Sequence, residues 1–570
     1  MKVNTERVDD ILLIKAEFAK SNLTNLFETY FPDHGNWKGI SGGKVTVGFL
    51  TYILSCSDHR VSHVETWAAQ RLNTLKYCLD SPDMTCKDFT DDKLGSLLDK
   101  YSDDEKWAAF EKAHNQCLIN VYNLTVKSEA IRLDAMITQS HRAAQGEFQF
   151  GHSKQHRSDL PQLKTMVATL DPLAMPLFSV TVSGNTSDDV LYLPVIKELM
   201  TSLVLLHQLF VGDAKMGSLE TRSFLQLNDQ YYLVPLSKKQ CTPTQLTDYL
   251  TKKPAKLTQI TTKDKAGTVI TRAEAFELTE QIEAPISGIC WKERRIIVYS
   301  PAYARRQQIS FESRLTKAQN ELNLILVAKQ GRKKLTTKAQ VLALTTQILT
   351  KHRVSDFIEV TINEQIVTKT VRKYKDRPKE IRQSSHFELD IKINETEKEE
   401  HLQKLGWRAY ACNAPLERLN TTQAVECYRD EYKIEHKFDE LLNRITALMP
   451  VYLGIPARIK GLIRLLLVAL KYVSLIQYQV RAELKTTKQT VKELYPGNPG
   501  RATDKPTTNM ILKAFNNIHL TVVSIENKIH VKISDLKPIQ LKILELLKIP
   551  PETYTGMNEL FFSHSDFGET

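Results

Sequence analysis

Asp134 and Asp213 stand where runs of apolar residues end or turn, and Glu435 stands on what reads as the apolar face of a helix. Carboxylate oxygens suit hard divalent cations such as magnesium or manganese. Three acids that converge would hold two such ions about 3.5–4 Å apart. One ion then activates water or a terminal 3′-hydroxyl, and the other stabilises the leaving oxygen of an in-line displacement at phosphorus. That chemistry needs no covalent link to the protein, so no catalytic serine or tyrosine is required. Each aspartate alone is ambiguous, because an Asp after a strand ordinarily forms a turn or caps a helix. Glu435 carries more weight. Its helix starts near Asn420, with Gln423 completing a variant of the capping box. Val425, Tyr428, Tyr432, Phe438, Leu442 and Ile445 form an apolar stripe at helical spacing, and Glu435 falls within it. A carboxylate on a buried face is costly unless it is paired or binds metal. Glu431, one turn earlier on the same face, is its rival, and a salt bridge to an arginine is the structural alternative.

The elements that must position these acids follow from hydrophobic spacing. Residues 1–128 read as helical, as in VTVGFLTYILS and DDEKWAAFEKAHNQCLINVYNL. Gly39, Gly42, Gly43 and Lys44 lack the spacing of a nucleotide-binding phosphate loop, so no nucleotide cofactor is expected. Residues 129–236 read as a mixed α/β core. Its strands are Ala130 to Ala135 ending in Asp134, Leu163 to Leu170, Pro176 to Val182, Gln208 to Gly212 running into Asp213, and Tyr231 to Leu236. A helix spans Asp188 to Leu205. In α/β sheets ligands gather beyond the carboxyl ends of strands. Residues 237–404 break the rhythm with strand-like runs and a polar helix around Phe311 to Val327, and read as a β-rich insertion. Residues 405–480 contain the strand GWRAYAC, the Glu435 helix over about 421–446 and an apolar helix over about 456–480. A small unit, 481–570, closes the chain.

Composition sets the bounds. The chain has 570 residues, 42% hydrophobic and 25% charged, as in ordinary globular proteins, and a net charge of +11 that suits a polyanionic partner. Eight scattered cysteines with no C-x-x-C pair point to free thiols and a reducing compartment. The N-terminal residues carry acids and no apolar signal core, so a cytoplasmic protein is expected. Arg464 and Lys471 interrupt the most apolar stretch, Leu462 to Leu475, which reads as a buried helix and not a membrane span.

Long ordered blocks add a resemblance. IRLDAMITQS, FGHSKQHRSDLPQLKTMVATLDPLAMPLFSVTVSGNTSDD, LFVGDAKMGSLETRSF, YRDEYKIEHKF and LYPGNPGRATDKPTT closely resemble bacterial insertion-sequence transposases of the DDE class. The best match is the IS-four superfamily in its IS-sixteen-thirty-four branch, over about residues 40–520. The resemblance implies an RNase H-like core with Asp134, Asp213 and Glu435 as its acids, split by a strand-rich insertion. It implies two Mg²⁺ ions per site, with Mn²⁺ as substitute. It also implies a homodimer that holds the terminal inverted repeats of a mobile element on the nucleoid of a bacterium or archaeon, cuts there and joins the ends to target DNA. In the wider superfamily the glutamate helix carries a Tyr, then Arg three later, Glu four beyond and a downstream Lys. Tyr428 and Glu435 fit, whereas Glu431 stands at the arginine position, with Arg429 nearby and Arg444 the base closest to the lysine position.

Weaker signals complete the reading. Lys154, His156 and Arg157 lie in a polar loop after the first catalytic strand and suit phosphate contact or an exposed hairpin. Trp291 suits stacking on a flipped base or, more simply, the core. Cys56, His59 and His63 lack a fourth metal ligand. Basic clusters at 329–334 and 371–382 suit solvated faces or phosphates, and the N-terminal helices are expected to bind the DNA ends. Two rivals stand beside an active transposase: a catalytically silent DNA-binding relative, and a nuclease with the same core that never joins ends.

Overall fold

Ten residues, AIRLDAMITQ, make the strand on which the rest of the first unit is built. The computed structural model describes residues 2–126, 129–140, 143–152, 157–203, 205–263, 268–284, 288–327, 335–371, 380–430, 453–525 and 528–559. The chain divides into two compact units, one of residues 1–234, 282–291 and 427–570, the other of 235–281 and 292–426.

The first unit opens with strand β1 (Lys2–Arg7) and seven helices: α1 (Ile11–Lys20), α2 (Leu23–Tyr30), α3 (Gly42–Cys56), α4 (Val61–Ala69), α5 (Leu72–Cys78), α6 (Asp91–Lys100) and α7 (Asp104–Val121). Ser41 caps α3 by accepting the Lys44 backbone N–H. A Cβ on Gly43 would lie 2.7 Å from the Thr24 carbonyl oxygen, so the glycines here let helices approach closely.

The core sheet follows, with β2 (Ala130–Gln139), β3 (Gln162–Leu170), β4 (Met175–Ser183), helix α8 (Asp189–Leu203), β5 (Leu209–Gly212), helix α9 (Leu219–Leu227) and β6 (Tyr231–Pro235). Their order is β4-β3-β2-β5-β6. β2 with β3 and β3 with β4 are antiparallel, while β5 lies parallel to β2 and to β6. An antiparallel meander extended by two parallel strands is the RNase H-like arrangement that the family resemblance implies. The strands and α8 fall within two residues of expectation, with one correction: β2 does not end at Asp134 but runs on to Gln139, because Met136 to Gln139 pair with Gln162 to Thr165 of β3.

In the second unit come α10 (Pro243–Thr251), β7 (Thr258–Lys263), β8 (Val269–Ala284), β9 (Ile289–Tyr299), α11 (Pro301–Leu324), α12 (Lys338–His352), the ribbon β10 (Ile358–Val371) with β11 (Glu380–Ile393), α13 (Glu395–Lys404), β12 (Trp407–Cys412) and the start of α14 (Thr421–Arg429). β7 pairs with β8, and β12 with β9. The unit is mixed rather than β-rich, since α10, α12 and α13 escape the sequence reading. It runs from 235 to 281 and from 292 to 426 and takes in GWRAYAC as β12. Phe311, Leu315, Leu322, Val341, Ile348 and Ile358 form a core of their own between the helix pair and the base of the ribbon. Arg294 organises the loop before α14, donating to the carbonyls of Ala414 and Leu419 at 2.7 Å each.

The chain returns to the first unit with α15 (Pro456–Thr487), which packs on α6 and β4, and with β13 (His519–Ile525) and β14 (Lys528–Ile533). β13 pairs with both β1 and β14, so the two ends of the chain share one small sheet. The charges that interrupt the apolar face of α15 are satisfied by α7 and its approach. Arg464 donates to the Tyr101 carbonyl at 2.7 Å, and Lys471 to Asn115 Oδ1 at 2.8 Å with Glu111 at 3.4 Å. Among the described residues no helix is long and apolar enough to cross a membrane.

Candidate active site

β2 is buried along its length except at Asp134. In the parallel pairing of β2 with β5 the last partners are Leu133 and Gly212. Asp134 is therefore the next residue of β2 and Asp213 the first residue after β5, at the ends of a pairing whose backbones run roughly 4.8 Å apart. Gly212 lets the turn after Asp213 pack closely, since a Cβ there would lie 2.5 Å from Met216 Sδ and 2.9 Å from its Cβ.

The Asp213 carboxylate is held from one side. Among the described residues its donors all reach Oδ1: the Tyr192 hydroxyl at 2.8 Å, the Lys215 backbone N–H at 2.8 Å and the Met216 N–H at 3.4 Å. Such pinning leaves Oδ2 as the oxygen to offer a cation. Tyr192 is buried on α8, and burial raises its hydroxyl pKa well above the ordinary value, followed by the negative charges of Asp213 and Asp134. It therefore stays a neutral donor to Asp213.

A second cluster adjoins the turn. Asp188 bridges the buried Lys164 Nζ at 2.5 Å and the half-exposed Lys215 Nζ at 2.6 Å. Burial pushes the Asp188 carboxyl up, but the hydrogen bonds from the two lysines outweigh it and hold it below the usual range. Burial pulls Lys215 down, and Asp188, then Asp213 and Asp189, raise it further than that. A cation is thus fixed beside Asp213.

Arg132 lies two residues before Asp134 on β2 and is buried. It donates from Nε to Asp171 Oδ2 at 2.7 Å and from Nη2 to the Cys427 carbonyl at 2.5 Å. Helix α14 starts as its sequence implies, with a reciprocal box in which Asn420 N–H donates to Gln423 Oε1 and Gln423 N–H to Asn420 Oδ1, both at 2.9 Å.

The expected residues fare differently. Asp134 and Asp213 are brought together. Glu435, its rival Glu431, and Arg444, Lys154 and His156 lie outside the described residues. Tyr428 is buried in the last described turn of α14, with Arg429 half-buried beside it. Trp291 is buried and donates its indole N–H to the Tyr232 hydroxyl at 2.9 Å, which is the core placement and not that of an exposed stacking ring. Most of the two basic clusters lies outside the described residues. His63 turns to Asp58, which also takes the fork of Arg60. Among the described residues no three His, Cys, Asp or Glu side chains are grouped to hold a metal. Sequence reading missed Arg132, Tyr192, Asp188 and Lys215. Only Arg132 gave a signal, a cation at strand spacing from Asp134.

Residues 128–470, more than half of the chain, match the family model described as the transposase DDE domain. The chain belongs to that family. It is a DNA transposase, a nuclease and strand transferase that binds DNA and works with divalent metal ions. No curated protein matches this transposase. Among solved structures it is similar to a piggyBac transposase, seen by cryo-EM as a synaptic complex with hairpin DNA, at 10% identity and a TM-score of 0.24 over 62% of this chain and 78% of that one.

Proposed function

We propose that Asp134, Asp213 and Glu435 are the catalytic acids of this transposase and together hold two Mg²⁺ ions, for which Mn²⁺ substitutes. The observation that carries this reading is the register of β2 and β5, which brings Asp134 and Asp213 to the ends of neighbouring strands, with the Tyr192 hydroxyl donating to Asp213. The donor set fits: two hard carboxylates stand together, one pinned through a single oxygen. When bound, such cations activate a water or 3′-hydroxyl and stabilise the leaving oxygen at phosphorus. Asp213 is oriented by Tyr192 and by the backbone of its own turn. Lys215, beside it, supplies positive charge toward a phosphodiester. Lys154, His156, Tyr428, Arg429 and Arg444 contact the strand being cut. The substrates are the terminal inverted repeats of an insertion sequence and then target DNA, engaged by a homodimer in the cytoplasm of a bacterium or archaeon. Residues 1–128 grip the DNA ends, 129–236 and 405–480 build the catalytic core around the insertion 237–404, and 481–570 close the unit.

The test uses a duplex that carries the repeats flanking the gene, incubated with the full chain and Mg²⁺. The expected products are a nick at the repeat boundary and a joined product with added target. Asp134→Ala, Asp213→Ala and Glu435→Gln should each lower the cleavage rate at least a thousandfold, as expected when residues act as one unit. Cleavage without any joined product would make the chain a nuclease only. Full activity in Glu435→Gln would move the third acid to Glu431.

A further inference from the structure

The strand with Asp134 and the last described turn of α14 are tied by one buried side chain. Arg132 and Asp134 are two apart on β2, so their side chains leave the same face of the sheet. Arg132 reaches the Cys427 carbonyl at 2.5 Å and, more loosely, its Sγ at 3.5 Å. Cys427 is in the last described turn of α14, eight residues before Glu435. Its carbonyl also accepts the Asp430 N–H at 3.2 Å, so the guanidinium adds a second donor to the carbonyl end of this segment. The Arg132 guanidinium is also held through Nε by Asp171, whose own N–H donates to the Ala130 carbonyl at 2.9 Å at the start of β2. Two contacts at defined angles suit a guanidinium and not an ammonium.

We propose that Arg132 is a positioning residue for catalysis: it anchors the α14 segment over the face of β2 that presents Asp134 and so sets where the third acid meets the aspartates. The inference rests on the assignment of Glu435 as that acid. Breaking one partner of a buried ion pair is destabilising in itself, whereas replacing both with apolar residues often is not. That difference separates scaffolding from positioning.

Three variants of the full chain are compared with the native protein by thermal unfolding, by the Mn²⁺-induced rise in unfolding temperature, and by cleavage of the repeat duplex. Arg132→Met should lose both stability and cleavage. Arg132→Met with Asp171→Leu should unfold near the native temperature, yet cleave at least tenfold more slowly and need about 10–100-fold more Mn²⁺ for half of its thermal shift. Arg132→Lys keeps the charge against Asp171 and should show the same loss of cleavage with little loss of stability. Native cleavage and native Mn²⁺ response in the double variant, or in Arg132→Lys, would overturn the inference and leave Arg132 a structural ion pair. Glu435→Gln is assayed alongside. If it is inactive while the double variant is native, the inference alone falls. If Glu435→Gln is fully active, the third-acid assignment falls and the inference falls with it.

Discussion

Replacing Tyr192 by Phe removes one oxygen atom from a buried site next to both aspartates. The hydroxyl donates to Asp213 Oδ1 at 2.8 Å, and the ring around it is buried with no exposed surface. A hydrogen bond to a charged group is worth about 1.5–3 kcal/mol. Two backbone donors remain on the same oxygen, so the carboxylate is loosened and not released. Outer partners of metal ligands typically cost about 10–100-fold in metal affinity when removed. Phe fills the same volume, so the fold should persist. The expected result for Tyr192→Phe is a half-saturating Mn²⁺ or Mg²⁺ concentration at least tenfold higher in cleavage of the repeat duplex. The rise in unfolding temperature with Mn²⁺ should move to higher concentration by the same factor. At saturating metal the cleavage rate should approach the native value. A metal dependence unchanged within twofold, in a variant that folds, would refute the argument that this hydroxyl sets the Asp213 carboxylate for a cation.

Three further outcomes follow from buried groups. Burial, reinforced by the nearby Asp9 charge and opposed by the Ser55 hydroxyl and Arg71, raises Asp10 to about 6 in the folded chain. Its proton is therefore bound more tightly folded than unfolded, and the stability this contributes is present below about pH 4 and lost as pH rises through 6. Asp10→Asn should match the native chain at pH 4 and exceed it at pH 8 by up to about 3 kcal/mol, read from denaturant melts across that range. Lys471→Met leaves Glu111 in the core without its cation, and should destabilise by about 3–5 kcal/mol, with Glu111→Leu added in the same chain restoring most of the loss. Trp291→Phe should lower the unfolding temperature through the lost bond to Tyr232 and leave affinity for the repeat duplex unchanged, where a base-stacking role would weaken binding.

Local signals were the legible ones. The capping box at Asn420 and Gln423, the start of α8 and the spans of β3 and β4 depend on neighbours in sequence, and they stand where the spacing puts them. Pairings between distant segments were not legible. Nothing in LFVGD states that Gly212 sits opposite Leu133, yet that register makes the two aspartates neighbours. β1 escaped notice because KVNTER becomes a strand only against β13, at the far end of the chain. Tyr192 reads as one more apolar residue on a helix face, and only its oxygen, aimed at Asp213, gives it a role. Arg132 reads as an intrusion into an apolar strand until its partners at 171 and 427 are seen.

The pairing of β1 with β13 bears on how the molecule is made. On the ribosome β1 has no neighbour until residues 519–525 have left the exit tunnel, and Arg132 has no carbonyl to grasp until Cys427 has done so. Domains generally close as units during synthesis, from the N-terminus onward. This one closes late, because β1 waits for β13. Asp134 and Asp213 are thus made well before the segments that complete the scaffold around them, and a chain broken short of β13 leaves β1 without its partner.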